Sequence, residues 1–390
     1  MMTRIGALAV IALTLGACND VIDLDPIDET PPVEASVRPS PIIGGTLTLT
    51  SGGMAVASDP DRDVIHVVDV GARQLRHTIT LQPGDQPGRV ILGAEGRAHV
   101  ILRGSGALAT IDPAAGTVVD RRELCPEIRG AAFDEGDGGL YVACAGGSLI
   151  HLDQAGEEVE RFELEPDLRD VLIVGGEVKV STFRSAAILG LDGSRIELLE
   201  NEEFAPHVAW RTFVGPDGEL AVLHQTASKK PVKVNPDPDD LPPDGSPYGG
   251  GGMCEMGLVN TALTTISGGY PTTTTFLDSR LTVDAAISPD GEWVAMAVPG
   301  AVKPEPPSES TSKHGRRVET FEDFGFVDSG FGSTIRIEPR HEEGCFSGVP
   351  VDVGDAQITA IAFDLEARLV IQSREPAQIL VLEDIFAGSV

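Results

Sequence analysis

Short runs of apolar and β-branched residues recur along most of the chain, and glycine, proline or aspartate closes nearly every run. Such runs, bounded by turn residues, predict β-strands. Clear examples are Ile65-His66-Val67-Val68-Asp69 and Ala109-Thr110-Ile111-Asp112. The Pro-Asp-Gly sequences at 216–218 and 289–291 predict hairpin turns between strands. The pattern therefore predicts an all-β protein.

One unit of strands is repeated seven times, roughly every 40 residues where no insertion intervenes. The aspartate that ends its second strand is expected to accept hydrogen bonds from backbone amides of the next turn, as at Asp69, Asp112, Asp153 and Asp192. A lone four-stranded sheet cannot cover both of its apolar faces, and seven such sheets can close a ring. We therefore predict a seven-bladed β-propeller of four-stranded antiparallel blades over residues 45–390. The units begin near Met54, Ala98, Leu140, Val178, Leu220, Trp293 and Leu369.

Two units carry long insertions, at 228–256 and 301–331, between their first two strands. Both are predicted to be long loops on the face where the innermost strands of the blades begin. Closing the ring also requires an outermost strand for the last blade. Either Ile385 to Val390 or the segment before Thr46 should supply it, and this seam is expected to be the weakest joint.

The N-terminus predicts export. Residues 1–17 combine a basic start, an apolar stretch too short to span a bilayer and a small-residue cleavage site, so they are interpreted as a signal peptide. Leu15-Gly16-Ala17-Cys18 resembles the lipobox of bacterial lipoproteins, which implies that Cys18 carries lipid. Residues 18–44, with many acids and prolines, are predicted to be a disordered linker. The expected location is the bacterial cell envelope, in the periplasm or at the surface. Outer membrane is mildly preferred, because Asn19 does not match the aspartate retention signal.

The composition narrows the possible partners. Sixty acids against 29 bases give a net charge of −31, which disfavours nucleic acid and anionic lipid surfaces. Four cysteines remain beyond Cys18, and an even number in an exported chain indicates disulfides. Cys125 and Cys144 belong to one face of the third blade and are expected to pair. Pairing of Cys254 with Cys345 would require the first insertion to fold over, and stays open.

Arginines recur at equivalent positions of the repeat. Four lie where innermost strands begin, and three lie where the next strands end, so all should face one mouth of the central channel. Such a ring could hold a carboxylate or a phosphate group. Alternatively, each arginine pairs with a neighbouring acid such as Asp170 or Glu375 and only joins blades. The two groups are Arg89, Arg129, Arg169 and Arg211, and Arg103, Arg184 and Arg374.

Signals for catalysis are weak. His224 should lie at the same mouth, either as a general base beside Arg211 or as a packing residue. Trp210 could stack on a ligand or be buried between blades. His341 with Cys345 and the acidic run at 235–244 lack the spacing of metal sites. No catalytic residue, metal or cofactor is therefore predicted, and a non-enzymatic role is favoured.

The repeat resembles the YVTN-type repeats of bacterial surface propellers. Several short motifs are also similar to those of a group of exported bacterial propellers, often lipoproteins, that continue into a c-type cytochrome domain. In that group the propeller takes part in periplasmic redox chemistry, as in quinoprotein amine dehydrogenase-like folds. That resemblance implies a redox role, yet no Cys-x-x-Cys-His site for haem occurs. Two functions remain: an envelope-anchored module binding an anionic small molecule or envelope protein, or the propeller part of a cytochrome c-linked system. The motifs are Cys125-Pro126, Ala143-Cys144-Ala145-Gly146-Gly147, Leu168-Arg169-Asp170-Val171, Phe183-Arg184-Ser185, Trp210-Arg211, Tyr248-Gly249-Gly250 and Gln372-Ser373-Arg374-Glu375-Pro376.

Overall fold

The described part of the chain belongs to one compact unit, Ser40–Val390, in a computed structural model. This unit starts five residues before the predicted domain boundary. The structure describes residues 40–231, 257–276, 279, 281–302, 331–340, 349–354 and 356–383. Cys18, Cys254 and Cys345 lie outside these ranges. Within them, no helix has the length and the apolar character needed to cross a membrane.

The described residues form seven antiparallel sheets, of which six have four strands and the last has three. Blades 1 to 3 contain β1 (Leu47–Leu49), β2 (Met54–Asp59), β3 (Val64–Asp69), β4 (Gln74–Thr80), β5 (Pro87–Leu92), β6 (Ala98–Leu102), β7 (Ala107–Asp112), β8 (Thr117–Glu123), β9 (Ile128–Phe133), β10 (Leu140–Cys144), β11 (Ser148–Leu152) and β12 (Glu158–Glu163). Blades 4 and 5 contain β13 (Leu168–Val174), β14 (Glu177–Thr182), β15 (Ile188–Gly190), β16 (Arg195–Ile196), β17 (Phe204–Val214), β18 (Leu220–Ser228), β19 (Val259–Ser267) and β20 (Tyr270–Phe276). Blades 6 and 7 contain β21 (Asp284–Ile287), β22 (Trp293–Val302), β23 (Phe331–Pro339), β24 (Val349–Asp352), β25 (Ile358–Phe363), β26 (Leu369–Ser373) and β27 (Gln378–Leu382).

The sheets close into the predicted seven-bladed ring. The first strand of each blade contacts the first strand of the next, and β25 of blade 7 returns to β1 of blade 1. One apolar cluster fills each of the seven junctions. Between blades 1 and 2, for example, Val56 and Ile65 pack with Val100 and Ile111. Neighbouring blades thus bury the apolar faces that a single sheet would expose.

Local turn chemistry agrees with the pattern in the sequence. The carboxylate of Asp69, at the end of β3, accepts a hydrogen bond from the amide of Ala72 at 2.8 Å. Asp112 at the end of β7 does the same for Ala115 at 2.9 Å. Gly218 adopts a φ of 80° in the predicted hairpin turn between β17 and β18, a conformation that favours glycine. The predicted structural role of the repeated aspartates is therefore confirmed.

Both predicted insertions connect the second and third strands of a blade, β18 to β19 and β22 to β23. Residues 232–256 and 303–330, which make up most of them, lie outside the described ranges. We call the side of the ring where first strands begin and second strands end the entry face. Both insertions leave and rejoin the propeller on this face.

The seam between blades 7 and 1 is joined by side chains. Gln372 of β26 is buried, accepts a hydrogen bond from the Thr46 hydroxyl at 2.7 Å, and donates one to the Ser58 carbonyl at 2.7 Å. Among the described residues, β27 has no outer neighbour and residues 40–46 form no strand. Of the two segments predicted from the sequence to complete blade 7, residues 385–390 lie outside the described ranges. The seam therefore depends on the apolar cluster around Leu47 and on these polar bridges.

Candidate functional site

A cavity of about 1180 Å³ opens at the centre of the entry face. Its wall consists of the starts of first strands, the ends of second strands and the segment that precedes β1. Four of the seven arginines singled out in the sequence lie in this wall, together with two aromatic residues: Arg103, Arg129, Arg169, Arg184, Phe183 and Trp210.

Pro41, Ile42 and Ile43 of the segment 40–45 line one side of the cavity, a contribution that was not predicted from the sequence. The Gly44 carbonyl accepts a hydrogen bond from Nη1 of Arg89 at 2.9 Å, and the Gly45 amide donates to Asp284 at 3.2 Å. A Cβ atom on Gly44 would lie 2.3 Å from the Val283 carbonyl oxygen, so only glycine fits there. The segment is therefore bonded to blades 2 and 6.

Three of the seven arginines are paired with carboxylates. Arg89 is buried and contacts Asp170, with Nε 2.5 Å from Oδ1. Arg211 pairs with the buried Asp284. Arg374 donates from Nη2 to Asp61 at 2.6 Å, at the seam. For these three arginines the alternative interpretation holds: each guanidinium pairs with an acid and joins two blades.

Asp170 and Asp284 lie at corresponding positions near the starts of β13 and β21 and join several strands. Asp170 also accepts a hydrogen bond from the amide of Thr212 at 2.7 Å. Asp284 also accepts one from the amide of Ile361 at 3.1 Å. Each carboxylate therefore satisfies backbone donors of a neighbouring blade in addition to its arginine. Charges in this buried layer are compensated within the protein.

The four arginines of the cavity differ from these three. Among the described residues, no carboxylate lies at ion-pair distance from the guanidinium groups of Arg103, Arg129, Arg169 or Arg184. The Nε atom of Arg169 and the Nη1 atom of Arg103 are buried and have no hydrogen-bond partner. Arg169 is only 9% exposed, and its guanidinium lies 4.4 Å from the ring centre of Phe183. Donors of this kind have lost water without gaining an acceptor.

The pKa values reflect this lack of compensation. Burial, followed by repulsion from Arg89, lowers the pKa of Arg169 to about 9, although Asp170 opposes the change. Burial and repulsion from Arg129 and Arg89 lower the pKa of Arg103 to about 10. Both groups remain protonated at neutral pH. The free protein therefore holds uncompensated positive charge beside the cavity.

Two carboxylates, Glu127 and Asp167, also line the cavity. Asp167 accepts a hydrogen bond from the backbone amide of Arg184 at 2.6 Å, so it supports the loop rather than the guanidinium. Four guanidinium groups against two carboxylates leave a local charge of two positive. This sign is opposite to that of the whole chain, so the cavity is a place where an anion would be attracted.

His224 does not line the cavity. It is fully buried in β18, where Nε2 lies 2.8 Å from the Thr264 hydroxyl and Nδ1 lies 3.0 Å from the Gln225 carbonyl. Burial lowers the pKa of His224 to about 4, so the ring is neutral near pH 7. With both ring nitrogens in contact with protein groups and no access to solvent, His224 fits the packing alternative better than the general base.

The predicted disulfide between Cys125 and Cys144 is confirmed, with an S–S distance of 2.08 Å. It joins the segment entering β9 to the end of β10. Beside it, the Ala145 amide donates to the Glu127 carbonyl at 2.8 Å, and both residues line the cavity. The disulfide therefore supports the rim next to Arg129.

Asp284, Phe183 and the segment 40–45 were not predicted from the sequence as parts of the site. Asp284 could have been recognised, because, like Asp170, it lies near the start of the first strand of its blade. The apolar and glycine-rich run Ile42-Ile43-Gly44-Gly45 differs from the acidic, proline-rich linker before it. This change in composition could have indicated that the segment packs against the propeller. Within the described part of the chain, no group of three or more His, Cys, Asp or Glu residues is placed to hold a metal ion.

No protein-family model matches the sequence, and no curated protein matches it either. Several solved structures share the fold at low identity. The chain is similar to Kuenenia stuttgartiensis hydrazine synthase at 13% identity and a TM-score of 0.64, covering 90% of this chain and 99% of that one. It is also similar to Staphylococcus aureus virginiamycin B lyase, solved with quinupristin as a catalytically inactive variant, at 11% identity and a TM-score of 0.56, covering 84% and 90% of the two chains. A third similar structure is the β-propeller domain of Myceliophteria thermophila Cps50 (Swd1), at 10% identity and a TM-score of 0.55, covering 87% and 96%.

At these identities the comparisons support the fold and leave the activities with the proteins named. Together with the ring of seven blades, they identify the chain as a β-propeller.

Proposed function

We propose that this protein is a cell-envelope binding module that takes up an anionic ligand in the cavity on its entry face. The observation that carries the proposal is the set of guanidinium groups without carboxylate partners, above all the nearly buried Arg169 with its unbonded Nε. A carboxylate or phosphate group in the cavity would accept hydrogen bonds from guanidinium groups that have no carboxylate partner, and would offset the mutual repulsion of Arg103, Arg129 and Arg169. Arg89, Arg211 and Arg374 are paired with carboxylates and join blades, so they are not needed to bind the ligand.

Anchoring at the envelope is part of the same proposal and is supported by the sequence. The N-terminal apolar stretch ends in Leu15-Gly16-Ala17-Cys18, the pattern expected for lipid attachment. Mass spectrometry of the mature N-terminus tests this part separately. A diacylated Cys18 supports it, and an intact Met1 contradicts it.

Anion binding is tested by titrating the purified protein with alkyl carboxylates and alkyl phosphates in a calorimeter at low ionic strength. Arg169→Met keeps an unbranched side chain beside Phe183 but removes the charge, and Arg129→Gln keeps polarity without charge. We expect either variant to weaken binding at least tenfold, since charge-assisted hydrogen bonds contribute about 1.5–3 kcal/mol each. Arg161→Ala, in the outer strand β12 where Arg161 pairs with Glu158, is the matched control and should bind normally. Equal binding by all four proteins would refute the proposal.

A second candidate function is the propeller part of a cytochrome c-linked redox system whose haem lies in another chain. The observation in its favour is positional: several motifs that carry the resemblance to cytochrome-linked propellers meet at the cavity, among them Leu168-Arg169, Phe183-Arg184 and Trp210. Affinity purification of the anchored protein followed by haem staining tests this candidate. A haem-containing partner whose capture depends on Arg129 and Arg169 would favour it, and the absence of haem would favour the small-ligand function.

A further inference from the structure

The cavity has two chemically different sides. Its arginines come from consecutive blades: Arg103 follows β6 of blade 2, Arg129 lies in β9 of blade 3, and Arg169 lies in β13 of blade 4. The wall contributed by blade 6 is apolar, with Leu281, Val283 and Pro299. Because blades 3 and 6 lie on opposite sides of a seven-membered ring, the charged and apolar walls face each other across the mouth.

Further apolar surface continues the second wall. Trp210 of blade 5 and the segment Pro41, Ile42 and Ile43 also line the cavity. Leu281 is 57% exposed although it is a large aliphatic residue, and its φ of 59° is unusual for leucine. A small hydrated oxyanion bound at the arginines would leave this apolar wall in water.

We infer that the ligand is an amphipathic organic anion, with a carboxylate or phosphate group at Arg103, Arg129 and Arg169 and an apolar body against the wall of Leu281, Val283 and Ile42. This inference rests on the proposed anion-binding function and specifies its ligand. The cavity volume of about 1180 Å³ is somewhat above the roughly 300–1000 Å³ of pockets that hold drug-sized molecules, so there is room for both an anionic group and an apolar body. The local charge of two positive suits a ligand with one or two negative charges.

The test is a series of probes with one anionic group and a growing apolar part: acetate, butanoate, hexanoate and octanoate, all below their micelle concentrations. We expect affinity to rise roughly fourfold per added methylene while the chain lies on apolar surface. The corresponding alkyl phosphates show which head group is preferred. Octanol, which has the same body without charge, should bind at least tenfold more weakly than octanoate.

Two variants separate the walls. Leu281→Asn removes apolar surface and suits the positive φ, so the variant should fold. It should lower octanoate affinity about tenfold and acetate affinity much less. Leu365→Asn is the matched control, because Leu365 is 88% exposed in the turn between β25 and β26 on the opposite face. Arg129→Gln should weaken the whole series by a similar factor.

The outcomes distinguish the two proposals. If octanoate binds no more tightly than acetate, or Leu281→Asn has no more effect than Leu365→Asn, the amphipathic ligand is refuted while the anion site stands. If Arg129→Gln leaves every affinity unchanged, or no member of either series binds, both proposals fail.

Discussion

Replacement of Arg169 by methionine should stabilise the protein in the absence of ligand. Arg169 is almost fully buried, and among the described residues it has no carboxylate partner for its guanidinium. Its guanidinium lies over the ring of Phe183, and the polarisable thioether of methionine can also contact an aromatic ring. Removing a buried, uncompensated charge from such a site should lower the free energy of the folded state.

The magnitude follows from the pKa of Arg169. A pKa of about 9, well below the ordinary value of an arginine, corresponds to a cost of several kcal/mol for the charged group in the folded chain. Both the folded and the unfolded chain are protonated below pH 9, so this cost is present in full at neutral pH. The cost disappears as pH rises above about 9, because the folded chain then loses a proton that the unfolded chain still holds. Allowing for relaxation and lost packing, we expect a gain of about 2 kcal/mol or more.

The assay is unfolding in urea, which adds no ions, followed by the fluorescence of Trp210 and Trp293. The matched variant is Arg89→Met, which leaves the buried Asp170 without its cation and should destabilise the protein by about 3–5 kcal/mol. Opposite signs for the two variants are therefore expected. If Arg169→Met destabilises the protein as Arg89→Met does, Arg169 has a structural role and the reasoning behind the anion site is wrong.

Three further predictions concern the frame of the site. Gly44→Ala should displace the segment that crosses the entry face and lower the melting temperature by several degrees. Gly146→Ala should leave the melting temperature unchanged, because an added Cβ atom would lie in open space there. Gln372→Ala should cost about 1–3 kcal/mol in urea unfolding because two buried partners lose their hydrogen bonds, and the exposed Gln378→Ala should cost almost nothing. The pKa of His224 is about 4 in the folded chain and 6.5 in the unfolded chain, so the free energy of unfolding should fall by about 3 kcal/mol as pH drops from 6.5 to 4. His224→Gln should flatten this pH dependence, and an unchanged slope in the variant would contradict the prediction.

The blades were predictable because each depends on contacts that are short in sequence. Strands, hairpins and the aspartate turns after β3 and β7 use neighbours within a few residues, so their signals recur in every unit. The disulfide between Cys125 and Cys144 was predictable for the same reason, because both cysteines belong to the entry face of blade 3. The packing of residues 40–45 was missed, since their contacts at Arg89 and Asp284 are distant along the chain.

The sequence by itself determined the repeat, the number of blades and the face that receives all seven arginines, because a strand pattern with a regular period sets where each side chain lies in its blade. Only the tertiary structure decided which arginines form ion pairs between blades and which have no carboxylate partner and line the cavity. Arg89, Arg211 and Arg374 lie beside Asp170, Asp284 and Asp61, acids far from them along the chain. Coulomb interactions depend on distance in space, and closing the ring is what brings these acids to three arginines and leaves the other four around an open cavity.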